Sequence, residues 1–355
     1  MENAVLSKEL GSGRFGKVYL VEQDIDNKRT CNFALKTAQG DSREEKEANL
    51  AKLKHEVEVL EALGVHPNIV ECGGFAKVDQ EEGVLFGLIQ GPDLSGLNNK
   101  LCEQFEKGDI TLHELSDTLA FLEQQKLDAM LYLQEANRIH GDLKASNFMW
   151  DSESKLLKLI DFGQSASCAG DGRVVCGHED YTPPEAIDSL QGSAHAVKAN
   201  IAIDNYALGQ MQFMMHDYLL GGKGHAFSNG AKTEGLAPSQ RTEKAFLFRQ
   251  AMKAFTTPKE DGSYQKVIED VSFDELMMQI SEKDQPATFD PLYDKATEMY
   301  EKMQVLKPMA DYACRFMHPI AEHRATAQEM MNHPWIINRS TDIDRIENII
   351  AAAAA

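Results

Sequence analysis

The chain has 355 residues, and its 36 Lys and Arg against 56 Asp and Glu give a formal net charge of −20. So acidic a protein repels nucleic acid and anionic membrane surfaces, and neither is expected as a partner. Hydrophobic residues make up 43% of the chain, which is typical of a globular protein with a full core. No apolar run approaches the roughly 18 residues of a membrane span. The six cysteines form no CxxC pair, so we expect a soluble, cytoplasmic protein in a reducing compartment.

The first strands enclose a glycine-rich turn. Residues 5–37 alternate apolar and polar side chains, which predicts hairpin-forming strands. Within them lies the GxGxxGxV sequence Gly11-Ser12-Gly13-Arg14-Phe15-Gly16-Lys17-Val18. Glycines let a backbone close over phosphate groups where a Cβ atom would clash. Because the turn lies between strands and opens no helix, it favours a lid over a nucleotide rather than a dinucleotide-binding turn.

A helix and two more strands complete this first part. Ser42 and Glu45 are spaced as a capping box, and the following helix is predicted to run to about Leu63. Residues 68–75 and 84–90 have the composition of further strands. The opening segment is therefore predicted to form a small sheet with one helix.

Helical periodicity dominates from Leu94 onward. Apolar residues from Leu115 to Ala136 fall near one helix face, which leads the chain into a loop at position 140. Residues 148–160 predict two short strands around a turn. Residues 341–350 predict a short amphipathic helix that packs on its own domain.

Two neighbouring motifs bring together side chains that bind cations. Residues 140–147 read HGDLKASN, and Asp161-Phe162-Gly163 follows after a mostly apolar stretch. Asp142 and Asn147 lie on one loop and Asp161 on the next turn, so three oxygen-bearing side chains are expected to converge. Oxygen ligands of this kind suit Mg²⁺ and, through it, a nucleotide phosphate.

A lysine and a glutamate further upstream form a candidate ion pair. Lys36 ends the strand segment Ala34-Leu35-Lys36, and Glu56 lies on the apolar stripe of the predicted helix with Leu53 and Leu60. Such a pair would hold the ammonium group against the inner phosphates of a nucleotide. The alternative interpretation is a surface salt bridge worth under about 1 kcal/mol.

Taken in order, these motifs resemble the eukaryotic-type protein kinases over residues 5–337. The matching elements are GSGRFGKV, FALK, Glu56 before HPNIV, HGDLKASN, DFG, YTPPE, DNYALG and HRATAQEMMNHPW. The resemblance implies a bilobal α+β fold. The expected parts are a small β-rich lobe at residues 1–91, a larger helical lobe at 92–337 and a tail at 338–355.

The resemblance also implies roles for individual residues. Asp142 corresponds to the aspartate that accepts the proton of the substrate hydroxyl, and Lys144 to the lysine that neutralises the transferring phosphoryl group. Asn147 and Asp161 correspond to the Mg²⁺ ligands, and Lys36 to the lysine that binds the α- and β-phosphates of ATP. The form of the loop around Lys144 favours Ser/Thr over Tyr substrates.

The residues expected to bind the nucleotide follow from the same resemblance. Val18, Ala34 and Met149 enclose adenine, Phe86 is the gatekeeper, and Gly87 and Ile89 offer backbone hydrogen bonds. The full set is Gly11, Ser12, Gly13, Arg14, Phe15, Gly16, Val18, Ala34, Lys36, Glu56, Phe86, Gly87, Ile89 and Met149. Three further residues are expected to brace the large lobe: Glu185 paired with Arg324, and Asp204 beneath the catalytic loop.

The sequence departs from the family at two places near the catalytic loop. Gly141 stands where most members carry the arginine that grips a phosphate on the activation loop. Residues 164–180 thus lack the usual anchor, and activity without phosphorylation of this segment is expected. His178 and Glu179 replace a threonine and a proline, which affects the expected substrate specificity more than phosphoryl transfer.

A longer interval between the Asp204 and Arg324 motifs indicates an insertion at about 220–305. Long insertions are often functional, so it is expected either to dock a partner or substrate or to be passive. Two other function classes stay open. One is a small-molecule phosphotransferase of the aminoglycoside or choline kinase type, which shares the HGD form, and the other is a nucleotide-binding pseudokinase. Delivery into a host cell is a further alternative to a cytoplasmic location.

Overall fold

A five-stranded antiparallel sheet forms the first lobe of the computed structural model, which describes residues 4–13, 16–26, 29–219, 289–318 and 320–355. The strand order is β1-β2-β3-β5-β4. The strands are β1 (Ala4–Gly13), β2 (Gly16–Asp26), β3 (Arg29–Ala38), β4 (Cys72–Val78) and β5 (Glu81–Gly87). The predicted hairpins around the glycine-rich turn are thereby confirmed.

The register of β3 decides which side chains face the cleft below the sheet. Lys36 is opposite Val18 on β2 and Val84 on β5, and Ala34 is opposite Phe86. Cross-strand partners point to the same face, so these residues share one side of the sheet. The alternate residues of the sheet pack into a small core on the other side, formed by Val21, Leu35, Val78 and Leu85.

Helix α1 (Arg43–Leu63) has the predicted length and end. Gly64 ends it with φ +77°, and Glu56 lies on its buried face with Leu53 and Leu60. The predicted capping box is only half formed. Ser42 Oγ accepts from Glu45 N at 3.1 Å, but the Glu45 carboxylate accepts from the backbone of Asp41 at 3.1 Å.

The last two strands of the sheet begin and end elsewhere than predicted. Strand β4 covers 72–78 rather than 68–75, and β5 covers 81–87 rather than 84–90. Residues 68–71 lie outside the sheet, and Ile69 instead forms a bridge to Leu159 of the second lobe. The reason is that Asn68 is tied to the other lobe: its amide donates to Gln125 Oε1 at 3.1 Å and Leu157 O at 2.9 Å.

The second lobe is mainly helical, as the bilobal α+β fold requires. Its helices are α2 (Leu94–Lys107), α3 (Leu112–Glu135), α4 (Ile201–Leu219), α5 (Phe289–Phe316), α6 (Ala327–Met330), α7 (Pro334–Ile337) and α8 (Ile343–Ala354). The predicted stripe of α3 is buried from Leu115 to Leu133, whereas Ala136 is exposed beyond the helix end. None of the helices in the described ranges is long and apolar enough to cross a lipid bilayer.

Three two-stranded ladders flank the loops of the second lobe. β7 (Phe148–Asp151) pairs with β8 (Leu156–Leu159), which confirms the two strands predicted within 148–160. The others join β6 (Arg138–Ile139) to β9 (Ala166–Ser167) and β10 (Arg173–Val174) to β11 (Val197–Lys198). The ladders hold the loop at 140–147 and the segment at 161–185 side by side.

The expected ion pair between Glu185 and Arg324 is present, with two contacts of 2.6 and 2.8 Å. Arg324 is fully buried and also donates to Ala202 O and His318 O. Glu185 is 37% exposed, so the pair is buried only on the arginine side. Removing Glu185 would leave a buried guanidinium without its carboxylate, which is the costly way to break such a pair.

The C-terminal helix α8 packs on its own domain, as predicted. Ile346, Ile349 and Ile350 are buried against α2 and α3. At its edges, Arg345 contacts Glu114 at 2.8 Å and Lys155 contacts Glu347 at 2.5 Å. Apolar burial rather than these exposed ion pairs supplies most of the stabilisation.

A buried acid in the second lobe makes stability depend on pH. Burial alone would raise the pKa of Asp311, but hydrogen bonds from His333 and Arg315, each 2.9 Å long, lower it to about 2. We expect Asp311→Asn to cost about 1–2 kcal/mol at neutral pH, allowing for partial solvent screening. The folded-state pKa is lowered, so this difference is fully present above pH 4 and shrinks as pH falls towards 2.

Urea unfolding of the wild type and of Asp311→Asn at several pH values measures this difference. The exposed Asp171→Asn serves as the matched control and is expected to track the wild type throughout. A difference that grows on acidification would contradict the assignment.

Candidate active site

A cleft of about 500 Å³ lies between the sheet and the second lobe. Most of the predicted nucleotide-binding residues line it: Gly11, Gly13, Gly16, Val18, Ala34, Lys36, Glu56, Phe86, Gly87, Ile89 and Met149. Ser12 lies on the same hairpin but outside the lining, and Arg14 and Phe15 lie outside the described residues. The cleft is mainly apolar above and polar at its inner end, which suits a heterocycle with a charged tail.

Sequence reasoning missed five residues of the lining, namely Leu10, Val70, Leu88, Gly91 and Ile160. Leu10 and Ile160 directly precede the motifs that begin at Gly11 and Asp161. Their position next to a motif could have indicated that they line the cleft. Val70 is the last residue of the HPNIV motif, and that motif by itself did not indicate a position in the cleft.

Lys36 joins three elements at the inner end of the cleft. Its Nζ donates to Glu56 Oε2 at 2.7 Å and to Asp161 Oδ1 at 2.9 Å. Burial by itself would lower the pKa of Lys36, but the two carboxylates outweigh it and raise the pKa above its ordinary value. Lys36 is therefore a fixed cation, which excludes the alternative of an exposed surface salt bridge.

The other oxygen of Glu56 links α1 to the Asp161 turn. Glu56 Oε1 accepts from the backbone N–H of Phe162 at 3.2 Å. Asp161 has φ +65°, an uncommon backbone conformation for a residue other than glycine. The Phe162 ring is buried and meets His140 edge to face at 5.0 Å. The strand, the helix and the turn are thus held together through buried polar contacts.

Asp142 lies across the cleft from Lys36 on the loop between β6 and β7. Its Oδ2 accepts from Lys144 Nζ at 2.7 Å and from Asn147 Nδ2 at 3.3 Å. Asn147 also donates to the backbone oxygen of Asp142 at 2.7 Å, which fixes the loop. The structure therefore brings together all five predicted catalytic and metal-binding residues around the inner end of the cleft, where they share a pocket or direct contacts: Lys36, Asp142, Lys144, Asn147 and Asp161.

Asp204 anchors this loop from below, as expected. Its two oxygens accept from the backbone N–H groups of His140 at 2.6 Å and Gly141 at 3.0 Å. Asp204 is buried, and this burial raises its pKa. His140 donates from Nε2 to Ile160 O at 2.9 Å, so the loop is tied to the strand before Asp161 as well.

Asn147 and Asp161 carry the side-chain oxygen atoms that could hold a divalent cation. Asp161 lines both the cleft and a smaller adjoining pocket of about 80 Å³ that contains Asp142 and Lys144. Only two protein ligands are available there, and no group of three or more acidic, His or Cys ligands occurs in the described part of the chain. This set fits Mg²⁺, which keeps water and phosphate oxygens as its remaining ligands.

Comparison with known proteins agrees with this geometry. Residues 4–336 match the family model of the protein kinase domain. The chain is 29% identical over 224 residues to an Aurora kinase of Yarrowia lipolytica, which covers 62% of this chain and 53% of that protein. It is 30% identical over 224 residues to Aurora kinase A-B of Xenopus laevis, with 62% and 48% covered.

A meiosis-specific serine/threonine-protein kinase of Schizosaccharomyces pombe is 28% identical over 241 residues, with 64% and 48% covered. The chain thus spans about half the length of the curated relatives it matches. A single family model accounts for both lobes and for the cleft between them, and the chain belongs to the eukaryotic-type protein kinases.

Proposed function

We propose that the protein transfers the γ-phosphate of Mg·ATP to Ser or Thr hydroxyl groups of protein substrates. The observation that carries this proposal is the position of Lys36, within 2.9 Å of both Glu56 and Asp161 at the inner end of the cleft. With Asp142 and Lys144 opposite, one fixed cation, two metal-binding side chains and one proton acceptor surround a space that suits a triphosphate tail.

The chain's own residues divide the chemistry as follows. Lys36 holds the α- and β-phosphates. Asn147 and Asp161 would hold Mg²⁺, which would supply neutralisation of phosphate charge when bound. The acceptor hydroxyl oxygen bonds to the γ-phosphorus while its proton passes to Asp142 and the bond to the β–γ bridging oxygen breaks. Lys144, 2.7 Å from Asp142, orients that carboxylate and offsets charge on the transferring group.

The remaining lining residues fit the base and sugar of ATP. Val18, Ala34 and Met149 supply apolar surface above and below a planar ring, and Phe86 closes the rear of the cleft. Gly87 ends β5 and Ile89 follows it. Their backbone groups suit hydrogen bonds to adenine, except the N–H of Gly87, which donates to Glu71 O at 3.0 Å. The glycine-rich turn from Gly11 to Gly16 covers the phosphates in this proposal.

Two observations support Ser and Thr of proteins as the acceptors: the names of the relatives, and motifs in the second half of the chain. Aurora kinases and a serine/threonine-protein kinase are among the matches. The ion pair of Arg324 with Glu185 and the buried helix α4 belong to motifs of the protein kinase type, which the small-molecule phosphotransferases do not share. Lys36, Asp142 and Asp161 are all present. Lys36 contacts Asp161, and Asp142 contacts Lys144, which argues against a pseudokinase.

An acceptor panel tests the proposed function. Purified protein with Mg·ATP is expected to label casein or histone on Ser and Thr, and to leave kanamycin and choline unmodified. Labelling of the small molecules alone would establish the phosphotransferase alternative. Nucleotide binding without transfer to any acceptor would establish the pseudokinase alternative.

We further infer that activity does not depend on phosphorylation of residues 164–180. An apolar cluster underlies this segment and is formed by Ile139, Ala166, Val174, Cys176, Ala186, Ala199 and Ile203. Val174 is 2% exposed, and its side chain fills the space towards which a side chain at position 141 would point. Apolar packing thus supports the segment where a phosphate and an arginine would otherwise be needed.

Two hydroxyl groups, one in this segment and one just after it, already donate hydrogen bonds to the backbone. Ser165 Oγ is buried and donates to Ile139 O at 2.7 Å, and Thr182 Oγ1 donates to His178 O at 2.7 Å. A phosphate at either position would break a buried hydrogen bond. We predict that phosphatase-treated and untreated enzyme differ by less than about two-fold in turnover. A collapse of activity after treatment, reversed by autophosphorylation, would contradict this prediction.

The lobe limits and partners complete the proposal. We place the small lobe at 1–91, the large lobe at 92–337 and the tail at 338–355, supported by the end of β5 at Gly87 and the start of α2 at Leu94. Most of the proposed docking insertion at 220–305 lies outside the described residues, and only its last part belongs to α5.

A further inference from the structure

Gly177 lies directly against the carboxylate of Asp142. A Cβ atom built on Gly177 would be 2.0 Å from Asp142 Oδ1 and 2.2 Å from its Cγ. Both values are far below 3.0 Å, a separation that Cβ atoms essentially never undercut. The next atom, Asp142 Cβ at 2.8 Å, belongs to the same side chain, so Asp142 sets the limit. No residue larger than glycine fits while Asp142 keeps this orientation.

The requirement for glycine at position 177 is spatial and not torsional. Gly141, its neighbour across the contact, has φ +79°, but Gly177 does not have a positive φ of this kind. The N–H of Gly177 donates to Gly141 O at 3.3 Å. The backbone of the activation segment (residues 164–180) therefore meets the backbone of the catalytic loop (residues 140–147) at two glycines. Since alanine tolerates the backbone at 177, its effect would report on the contact with Asp142.

The two oxygens of Asp142 have different surroundings. Oδ2 accepts from Lys144 at 2.7 Å and from Asn147 at 3.3 Å. Oδ1 is buried and has no hydrogen-bond donor among the described residues. A buried carboxylate oxygen without a donor is costly, and it keeps its full capacity to accept a hydrogen bond. The Gly177 main chain, which offers no side-chain donor, covers this oxygen.

We propose that Gly177 is a positioning residue for the proton transfer. It allows the activation segment to close on Asp142, holds the carboxylate in one orientation and keeps Oδ1 away from water. Oδ1 is then reserved for the hydroxyl group of the acceptor. The proposal rests on the proposed function of Asp142, and Gly177 acts only through that residue.

Gly177→Ala tests the proposal through steady-state kinetics. The added methyl group displaces the carboxylate or the segment by about 1 Å, and such a displacement lowers kcat by about 100-fold. The dissociation constant of Mg·ATP is expected to change by less than about two-fold, because Asp142 and Gly177 lie outside the adenine cleft. Gly96→Ala is the matched control, since its Cβ would make only ordinary contacts of 3.5 Å and beyond.

A double-mutant cycle separates positioning from a general loss of structure. In the Asp142→Ala background the carboxylate is absent and only the Cβ at 2.8 Å remains near the added methyl group, so Gly177→Ala is expected to cause a much smaller loss of turnover than in the wild type. Gly177→Ala is also expected to lower the Tm of the wild type more than that of Asp142→Ala. The Tm measurements need no catalysis, so they test the contact between Gly177 and Asp142 even if the proposed function is wrong.

Three results would overturn the inference. They are an unchanged kcat in Gly177→Ala, a weakened affinity for Mg·ATP equal to the loss in kcat, and an equal loss of Tm in both backgrounds. Absence of phosphoryl transfer by the wild type would refute the proposed function instead, and the Tm cycle would then decide the contact alone.

Discussion

Asp142→Asn is expected to lower phosphoryl transfer by about 1,000-fold, the middle of the range for loss of a general base. Asparagine has nearly the same shape but cannot take up the hydroxyl proton. The fold should be unaffected, because the amide oxygen of asparagine can still accept from Lys144 and Asn147 in place of Oδ2. The Tm of the variant is therefore expected to stay close to that of the wild type.

The measurement combines peptide phosphorylation with calorimetric binding of Mg·ATP. Binding should persist, because Lys36 and Asp161 remain in contact at 2.9 Å without help from Asp142. Asp109→Asn, exposed in the loop between α2 and α3, is the matched control and should retain full turnover. Wild-type turnover by Asp142→Asn would show that the catalytic assignment is wrong.

Gly141→Arg, which introduces the residue most protein kinases carry, is expected to destabilise this protein by about 2–4 kcal/mol. The backbone at 141 has φ +79°, which costs a non-glycine residue about 1–2 kcal/mol. A Cβ atom there would also lie 2.7 Å from both Gln164 O and the Val174 side chain. Overpacking of this kind adds about 1–3 kcal/mol. Restoring the arginine should therefore disrupt the segment rather than make it phosphate-responsive.

Gly108→Arg is a sharp control for this prediction. Gly108 has φ +78° but no atoms within 4 Å of its ideal Cβ position, so only the torsional cost applies. Chemical denaturation is expected to show a loss of about 1 kcal/mol for Gly108→Arg. Equal stability of the two variants, or a gain in activity of Gly141→Arg on phosphorylation, would contradict the steric argument.

The part of the site that lies within short sequence motifs was predictable from the sequence. Lys36, Glu56, Asp142 and Asp161 are each fixed by a short local pattern whose order along the chain identifies the family. Their local elements also follow local rules: a glycine ends α1, and alternating apolar residues form the sheet. The 2.7 Å contact of Lys36 with Glu56 matches the predicted ion pair, whereas the 2.9 Å contact of Lys36 with Asp161 was not predicted.

Contacts between distant segments were not predictable in this way. Glu123 and Lys126 have the composition of a surface helix face, yet both are fully buried in α3 as an ion pair. Tyr312, far along the chain, donates to Glu123 Oε1 at 2.8 Å. No local pattern signals such burial, because the partners come from helices separated by almost 190 positions.

The sequence alone determined the family, the cleft and the chemical groups at its inner end, because each depends on residue types at short, fixed spacings. Only the tertiary structure decided how the activation segment is held. Gly141, Val174 and Gly177 carry no chemistry of their own, and a sequence cannot state which atoms fill the space beside a missing side chain. Packing between segments far apart in the chain sets that space, and here it brings one backbone onto the catalytic carboxylate.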